Sequence, residues 1–323
     1  MKTFFIINPA AGQGKNTDLF VRQVKNVISE TGADAEIYLT KCVGDAKIFT
    51  LECCEKYGAT RLIACGGDGT LSEVVNGASM CSGAEIGVIP IGTGNDFCRN
   101  FEYDFYNILG QLTGKTVKCD AIRYTTFFDG YVKEGYGVNM FNIGFDCNVA
   151  DLTAEMKKKP LISGSFAYFT SILVTLIKKK CSNLKIEIDG QERHNGQLLL
   201  SSVANGSFCG GGIKSNPLAS LADGEININI IKNVTRMKFI SLLPHYMKGT
   251  FLNLSNIEKY IASEKCREVV ISPNGGHMRL CIDGEIIDAG QTRFEIVHNA
   301  FNFILPGMTE DNLKQSNKEL QKI

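Results

Sequence analysis

In residues 66–73 of this 323-residue chain, with the sequence GGDGTLSE, three glycines surround the carboxylate of Asp68. They follow the apolar residues 61–65, which predicts a strand that ends in a tight turn. Because glycine has no side chain, backbone N–H groups in such a turn can closely approach an anion. Thr70 is a candidate N-cap for the next helix, whose positive end favours phosphate. Asp68 would lie beside that phosphate, where magnesium mediates; a glycine turn without a ligand is the alternative.

Two further glycine-rich turns also follow apolar strands. Residues 8–15 come after the strand-like residues 3–7, and residues 90–96 come after residues 86–89. The carboxyl ends of parallel strands meet at one edge of a sheet, where ligands bind, so three such turns predict one shared anion site. Lys15 is a candidate phosphate partner, and a solvated surface lysine is the equal alternative.

Together these segments resemble the diacylglycerol kinase catalytic domain family, in its branch of bacterial soluble lipid kinases. The matching residues are Asn8-Pro9, Gly12, Gly14-Lys15, GGDGT at 66–70 and PIGTGND at 90–96. NAD kinases and phosphofructokinases carry turns similar to GGDGT, so PIGTGND is the more specific element. The other nucleotide fingerprints, G-x-x-x-x-G-K-[ST] and G-x-G-x-x-G, do not occur at these turns.

The resemblance implies that ATP is the phosphoryl donor and that Mg2+ is the cofactor. It implies nucleotide contacts at Asn8, Thr40, Gly66, Gly67, Asp68, Gly69, Thr70, Leu71, Ser72 and Thr93. It also implies that catalytic magnesium is held, directly or through waters, by Asp68, Asp96 and Asp120. Thr40 comes just after the second predicted strand, which fits a position at the same edge of the sheet.

Residues 280–285 place two carboxylates around one glycine in the second half of the chain. An Asp-Gly pair between two apolar stretches is typical of a plain hairpin turn. Phosphoryl transfer to a weakly acidic alcohol, however, benefits from a carboxylate that accepts the hydroxyl proton. The resemblance implies that Glu285 is this base, and Asp283 is a second candidate because it is so close.

Residues 210–225 combine a glycine run with an Asp-Gly pair. The residues alone allow either a turn before the next strand or a loop whose oxygens bind a hard cation. The resemblance implies a structural magnesium site at Ser220, Asp223 and Glu225. In that interpretation Asp223 gives a side-chain ligand and the other two give backbone oxygens.

Alternating strands and helices over the first 120 residues predict a doubly wound parallel sheet, with helices at 17–31, capped by Thr17 or Asp18, and at 45–57. After about residue 118, apolar stretches separated by Asp-Gly turns predict an antiparallel β domain. We therefore expect a nucleotide-binding α/β domain over residues 1–122, to which residues 304–323 return. We expect a β-sandwich domain for the lipid acceptor over residues 123–303.

Composition narrows the function classes. Basic and acidic residues number 34 each, and this neutral balance argues against nucleic acid as the main partner. The twelve cysteines include no CxxC pair and the N-terminus resembles no secretory signal, so we expect reduced thiols in the cytoplasm. The four histidines are far apart and show no zinc spacing.

Residues 161–177 are apolar and lie between the lysine triplets 157–159 and 178–180. The segment is at the lower length limit for crossing a bilayer and contains several hydroxyl side chains, so we do not expect it to span. A buried or surface amphipathic helix is the ordinary interpretation. An interfacial helix that docks on anionic lipid is the functional hypothesis. The tail, residues 309–322, is polar and is either a short helix or a frayed end.

The sequence thus predicts an ATP-dependent lipid kinase of phospholipid biosynthesis, located in the cytoplasm and peripheral to the inner face of the membrane. Diacylglycerol is the leading acceptor, followed by sphingoid bases, phosphatidylglycerol or a prenol. A kinase of a soluble substrate such as NAD and a non-catalytic nucleotide-binding protein are the alternatives. The set Asp68, Asp96, Asp223 and Glu285 argues against a non-catalytic protein. A homodimer is compatible with the sequence, which does not decide the oligomeric state.

Overall fold

The computed structural model describes residues 1–14, 16–79, 81–144 and 181–307. The hypotheses about Lys15, about residues 161–177 with their lysine triplets and about the tail concern residues outside these ranges. The chain forms two compact units. Unit 1 comprises Met1–Ala121, Leu221–Asp223 and the chain from His298 on, and unit 2 comprises Ile122–Ser220 and Gly224–Val297.

Unit 1 is built on a parallel sheet. Its strands are β1 (Thr3–Ile7), β2 (Ala35–Leu39), β3 (Arg61–Gly66) and β4 (Glu85–Pro90), and its helices are α1 (Thr17–Thr31), α2 (Asp45–Tyr57), α3 (Asp68–Ala78) and α4 (Ile108–Thr113). Two strands, β5 (Lys115–Phe128) and β15 (Gln291–Leu305), contribute residues to both units. Within unit 1 the spatial order is β2, β1, β3, β4 and the end of β15, and all neighbours are parallel.

The strand order of unit 1 has its topological switch point at β1. This strand pairs with β2 on one side and with β3 on the other, so the chain leaves β1 in one direction and returns across it. Since parallel crossovers are right-handed, α1 and α2 lie on opposite faces of the sheet. β1 is fully buried, as expected of a central strand covered on both faces. Ligands bind beyond the carboxyl ends of the strands at such a point, which here lies between β1 and β3.

The helices of unit 1 begin and end close to the predicted residues. Gly32 ends α1 in the left-handed conformation, with φ of 64°, as glycine does at helix C-termini. The predicted caps were wrong at two helices. The N-cap of α1 is Asn16 rather than Thr17 or Asp18, and the N-cap of α3 is the extended Gly67 rather than Thr70. The helix α3 therefore starts earlier and takes the acidic Asp68 into its first turn, where the helix dipole favours a negative charge.

A carboxylate from α3 satisfies the N-terminus of the neighbouring helix α2. The two Glu73 oxygens accept hydrogen bonds from the backbone N–H groups of Gly44 at 2.9 Å and Ala46 at 3.1 Å. These amides lack partners within α2 itself, because the first four N–H groups of a helix have none. The contact fixes α3 beside α2 and neutralises the positive end of α2.

Unit 2 is antiparallel. Its own elements are β6 (Tyr131–Gly137), β7 (Met140–Gly144), β8 (Ser182–Ile188), β9 (Gln191–Ala204), β10 (Ile226–Lys232), α5 (Arg236–Lys248), β11 (Ile261–Cys266), β12 (Glu268–Pro273), β13 (Met278–Ile282) and β14 (Glu285–Ala289). The order β14-β13-β7-β9-β8-β12 continues to the first part of β15. β10 pairs with both β9 and β11, and β6 pairs with β5.

Two apolar clusters form the cores of unit 2. Leu198 on β9 belongs to the first cluster and Leu199 to the second, because successive residues of a strand point to opposite faces. The second cluster lies under α5, which contributes Leu242 and Tyr246 to it. The predicted Asp189-Gly190 turn forms a two-residue hairpin between β8 and β9, with φ of 47° and 76°. Among the described residues, no helix is long and apolar enough to cross a membrane.

Candidate functional site

Three predicted turns come together at the switch point of unit 1. The Asn8 Nδ2 atom, just after β1, donates a hydrogen bond to Thr70 Oγ1 in the first turn of α3 at 3.2 Å. Asn8 Oδ1 accepts from the Ala10 backbone N–H, which fixes the side chain in this orientation. The third turn joins through a backbone hydrogen bond of 3.0 Å from Gly92 N–H to Gly66 C=O. The sequence correctly placed these turns at one edge.

The glycines at this edge are required by close packing. A Cβ atom on Gly92 would lie 2.4 Å from the Cα atom of Gly67. A Cβ on Gly66 would lie 2.2 Å from Thr70 Oγ1, and one on Gly12 would lie 2.7 Å from Ile91 C=O. Real side chains do not tolerate such distances, so each turn needs glycine for its neighbour to approach. Backbone groups are thereby brought close together without intervening side chains, as an anion site needs.

Asn95 closes the turn after β4. Its Nδ2 atom donates hydrogen bonds of 2.9 Å to the C=O groups of Pro90 and Gly92, and its own φ is 55°. Asparagine suits this role because it tolerates the left-handed conformation and bonds to nearby backbone. These two bonds tie residue 95 back to residues 90 and 92 and so close the turn.

Asp68 and Asp96 approach the same point from two turns. Asp68 Oδ1 accepts a hydrogen bond of 3.1 Å from the Phe97 backbone N–H. The other oxygens, Asp68 Oδ2 and Asp96 Oδ2, lie 2.9 Å and 3.5 Å from the position that a Cβ on Gly94 would take. Asp96 Oδ1 also lies 3.6 Å from Nε of the exposed Arg99. The two carboxylates thus face a common space that only a glycine at 94 leaves open.

The thiol of Cys98 lies in the field of this acidic pair. Burial raises the pKa of Cys98, and the negative charge of Asp68 raises it further. The raised pKa lowers the share of the reactive thiolate form of Cys98 at neutral pH.

The other expected nucleotide contacts lie along the same edge. The Thr40 backbone N–H donates to Ile7 C=O at 2.9 Å, which sets Thr40 beside the end of β1. Leu71 is buried and packs into unit 1, whereas Ser72 is half-buried on α3 and Thr93 is exposed in the third turn. Leu71 could therefore offer a ligand only its backbone.

Asp120 is fully buried on β5 and is held by the residues at the start of the final segment of unit 1. Its Oδ1 atom accepts hydrogen bonds from His298 Nδ1 at 2.9 Å and from the Asn299 backbone N–H at 2.7 Å. Its own backbone N–H donates to Leu221 C=O at 2.7 Å. The expected structural metal loop is thus attached to β5 at its residue 221.

The residues of that loop have different surroundings. Ser220 is buried, and Asp223 and Glu225 are half-buried. The Glu225 carboxylate lies 3.7 Å from Lys265 Nζ within unit 2. This ion pair supports the expectation that Glu225 would offer a cation its backbone oxygen rather than its carboxylate.

Asp283 is engaged by the backbone of unit 2. Its carboxylate accepts three hydrogen bonds, from the N–H groups of Val138 at 2.8 Å, Asn139 at 3.0 Å and Met140 at 2.8 Å. These bonds engage both carboxylate oxygens and hold the side chain in one orientation. Asp283, with φ of 47°, is the first residue of the two-residue turn between β13 and β14. This geometry fits a structural carboxylate better than a base.

Glu285 follows directly as the first residue of β14 and is exposed. Tyr124 on β5 lies in the field of both carboxylates. Burial raises the pKa of the Tyr124 phenol most, and the charges of Asp283 and Glu285 raise it further. The phenol therefore stays protonated at neutral pH.

The donors in unit 1 fit magnesium. Among the described residues, no group of three His, Cys, Asp or Glu side chains is arranged to hold a metal ion. Magnesium does not need such a cage, because it keeps several waters and binds through one or two carboxylates together with substrate phosphates. Asp68 Oδ2 and Asp96 Oδ2 supply that kind of pair.

Several residues that shape the site were missed by the sequence analysis. The backbone N–H of Phe97 donates to Asp68, and the Phe97 ring packs against the Phe303 ring with centroids 5.0 Å apart. In the sequence, only the position of Phe97 directly after Asp96 indicates this role. No sequence motif near Tyr124 or His298 indicates that either residue lies close to a predicted site residue. His298 is 178 residues from its partner Asp120, so a single sequence could not connect them.

Known proteins resemble both halves of the chain. The sequence model of the family described as "Diacylglycerol kinase catalytic domain" matches residues 2–124. The model described as "YegS C-terminal NAD kinase beta sandwich-like domain" matches residues 139–305. Together the two matches cover most of the chain and fall on different parts of it.

Individual relatives agree. The chain is 29% identical over 285 residues to "Diacylglycerol kinase" of Bacillus subtilis (strain 168), covering 87% of this chain and 88% of that protein. It is 30% identical over 289 residues to "Diacylglycerol kinase" of Staphylococcus aureus (strain JH9), covering 87% and 84%. A crystal structure described as a diacylglycerol kinase from Bacillus anthracis str. Sterne has the same fold, with a TM-score of 0.69, 22% identity and coverage of 95% and 97%.

The family match and the relatives together define an ATP-dependent phosphotransferase of the lipid kinase class. The chain belongs to the diacylglycerol kinase catalytic domain family. These findings confirm the predicted family, the predicted fold class of an α/β unit with a β-sandwich, and the predicted kinase activity.

Proposed function

We propose that this enzyme transfers the γ-phosphoryl group of ATP to the hydroxyl of diacylglycerol, with Glu285 as the general base. One observation carries the proposal: three glycine turns converge at the switch point of unit 1, where Asn8 reaches Thr70 and Gly67 contacts Gly92. This edge offers backbone amides at the start of α3 and two carboxylate oxygens, which suits a triphosphate with a divalent cation.

Each part of this edge has a role in the proposal. The amides of Gly67, Gly69 and Thr70 bind phosphate oxygens, and the side chains of Asn8, Thr40, Ser72 and Thr93 contact the nucleotide. Asp68, Asp96 and Asp120 would hold magnesium, directly or through waters, and a bound ion would supply positive charge against the β and γ phosphates. A second, structural magnesium belongs to Ser220, Asp223 and Glu225. Asp68 also orients the turn through its hydrogen bond to Phe97.

Glu285 accepts the proton of the acceptor hydroxyl as its oxygen attacks the γ-phosphorus. The bond from the γ-phosphorus to its bridging oxygen breaks, and ADP leaves with that oxygen. Asp283, the second candidate base, acts as a positioning residue in this proposal. Its three backbone hydrogen bonds fix the turn from which Glu285 projects.

The identity of the acceptor rests on the relatives, since proteins that cover most of this chain bear the name diacylglycerol kinase. Diacylglycerol resides in a bilayer, so the enzyme works as a peripheral protein at the inner face of a membrane. The cysteines of the described chain are free thiols, which supports a cytoplasmic location. Homodimer formation stays a prediction.

The test is a phosphate-transfer assay with labelled ATP, magnesium and separate acceptors: diacylglycerol, sphingosine, phosphatidylglycerol, a prenol and NAD. We expect the label chiefly in phosphatidic acid. Glu285→Gln should lower kcat by about 10² to 10⁴, the usual range for a general base, while ATP binding by calorimetry stays unchanged. If most of the label enters another acceptor, that acceptor and not diacylglycerol is the substrate. If Glu285→Gln keeps wild-type activity, Glu285 is not the general base.

A further inference from the structure

The helix α5 carries an apolar stripe on its outer face. Met237 is 77% exposed and Ile240 is 50% exposed, although both side chains are apolar. Pro244, one further turn along, is also exposed. Residues three and seven positions apart lie on one face of a helix, so these side chains form a continuous row.

The opposite face of α5 holds the helix firmly on unit 2. Leu242 and Tyr246 are buried in the second core cluster, and the Tyr246 ring packs against Phe251 with centroids 5.7 Å apart. Thr235 caps the helix by accepting from the Lys238 N–H, and Gly249 ends it. The inner face of α5 is thus apolar because it packs on the core. The outer face also carries apolar side chains, although packing on the core does not require them there.

The charge of α5 is of one sign. Its residues Arg236–Lys248 include two lysines, an arginine and a histidine, and no aspartate or glutamate. Its first turn contains cations and no acidic residue, opposite to the preference set by the helix dipole. Lys238 Nζ lies 4.2 Å from the centre of the Tyr260 ring, which keeps this cation on the helix surface. A partner that is both negatively charged and apolar complements this face.

We propose that α5 docks the enzyme on an anionic lipid bilayer, with Met237 and Ile240 buried among the upper acyl chains. The basic side chains then lie at the level of the lipid phosphates, as in other interfacial amphipathic helices. With 13 residues the helix is only about 20 Å long, so it lies along the surface. The inference rests on the proposed function in one respect: a bilayer is where the diacylglycerol acceptor resides.

A second exposed apolar patch provides a matched control. Tyr131 and Val132, at the hairpin between β5 and β6, are 76% and 62% exposed. Their neighbours on that hairpin are of both signs, with Asp129 and Glu134 beside Lys133, so this patch lacks the positive surplus of α5. If apolar exposure alone drove binding, the two patches would behave alike.

The absence of tryptophan from the sequence allows a direct measurement. Met237→Trp and Tyr131→Trp each introduce one fluorophore. We expect vesicles of equal parts phosphatidylcholine and phosphatidylglycerol to shift the emission of Met237→Trp to shorter wavelength, and to leave Tyr131→Trp unshifted. Phosphatidylcholine vesicles or high salt should abolish the shift. An unshifted Met237→Trp, or a shift only in Tyr131→Trp, overturns the proposal.

A second experiment measures the binding of each protein to vesicles by sedimentation. The double variant Met237→Gln with Ile240→Gln should bind the mixed vesicles about tenfold more weakly, and Tyr131→Gln with Val132→Gln should bind as the wild type does. Equal thermal melting of the three proteins excludes misfolding as the cause. Unchanged binding of the α5 variant contradicts the inference.

Activity on monomeric substrate separates this inference from the proposed function. With short-chain diacylglycerol below its aggregation concentration, the α5 variant should keep wild-type kcat and KM, whereas on vesicle-borne diacylglycerol its rate should fall with its binding. If the wild type phosphorylates short-chain diacylglycerol but α5 does not affect vesicle binding, only the docking surface is wrong. If α5 governs vesicle binding and no diacylglycerol is phosphorylated, only the proposed acceptor is wrong.

Discussion

Asp68 in unit 1 and Asp283 in unit 2 each lie next to glycine in a tight turn, and the two turns use the aspartate differently. Asp68 accepts one backbone hydrogen bond, from Phe97, and turns its other oxygen toward Gly94 and Asp96. Asp283 accepts three backbone hydrogen bonds and is buried. Asp68 therefore keeps one carboxylate oxygen available to a ligand, whereas both carboxylate oxygens of Asp283 bind the backbone of unit 2.

The glycines of the two units differ in the same way. Gly92 in unit 1 is needed because another backbone lies where its Cβ would be. Gly190 in unit 2 has φ of 76° and nothing within 4 Å of a Cβ, so it is needed only for its conformation. Glycine required by contact marks a place where backbones converge, and glycine required by φ marks a turn. Short motifs do not distinguish the two cases.

The largest effect is expected for Asp68, the carboxylate that is available to a ligand. Asp68→Asn keeps the shape of the side chain but halves the acidic pair, so we expect kcat to fall by roughly 10³, since a bound metal contributes several kcal/mol to the transition state. The melting temperature should change little. Magnesium-dependent ATP binding by calorimetry should weaken in parallel. A variant with wild-type kcat would show that Asp68 is as structural as Asp283.

The second-largest effect is expected for Asp283, the carboxylate that binds the backbone. Asp283→Asn replaces one acceptor oxygen with a donor that faces a backbone N–H, so we expect a loss of about 2–4 kcal/mol in the free energy of unfolding. The comparison variant is Asp189→Asn, in an exposed turn. Both hydrogen bonds of Asp189, from the backbone N–H groups of Arg267 and Glu268, go to Oδ1, so the amide oxygen of asparagine can keep them. The control should lose less than half as much in denaturant titration. Equal losses would mean that use of both carboxylate oxygens by the backbone does not set Asp283 apart.

The glycine comparison predicts a smaller effect. Gly92→Ala forces the Gly67 backbone to move, so we expect it to destabilise the protein by about 1–3 kcal/mol and to weaken ATP binding. Gly190→Ala should cost about 1 kcal/mol through its left-handed φ alone and leave ATP affinity unchanged. Calorimetry with ATP and thermal melting measure both variants. A Gly190→Ala protein with impaired ATP binding would break the distinction.

The smallest effect concerns Tyr124, beside Asp283 and Glu285. Tyr124→Phe should change kcat by less than about tenfold, since a single neutral hydrogen bond is worth about 1 kcal/mol. The folded state raises the pKa of the phenol, so it binds this proton more tightly than the unfolded chain does. Wild type should therefore lose stability relative to Tyr124→Phe as the pH rises above about 10. Parallel stability curves across that range would contradict the raised pKa.

The sequence predicted the elements of unit 1 well because their patterns are local. Strand β1, helix α2 and the glycine that ends α1 all follow from apolar periodicity and turn chemistry within a few residues. The start of α3 was placed too late because Thr70 is a good cap by residue type. Its hydroxyl is instead occupied by Asn8, 62 residues away.

Contacts between distant residues account for what the sequence left out. The three amides that hold Asp283 lie about 145 residues upstream, and the motif itself is equally compatible with a base and with a turn. Likewise, nothing near Asp120 points to His298. The outer face of α5 was also missed, because its apolar and basic residues resemble those of an ordinary surface helix until burial shows which side is already covered.

The carboxylate that α3 extends to the first amides of α2 has a consequence for where nucleotide charge can settle. Helix starts attract anions in general, and α2 and α3 both start at the carboxyl edge of the parallel sheet, after β2 and β3. Glu73 acts as a built-in competitor that already fills the α2 position. The start of α2 is therefore already neutralised by a carboxylate of the protein, so α2 does not compete with the start of α3 for the phosphates of a bound nucleotide.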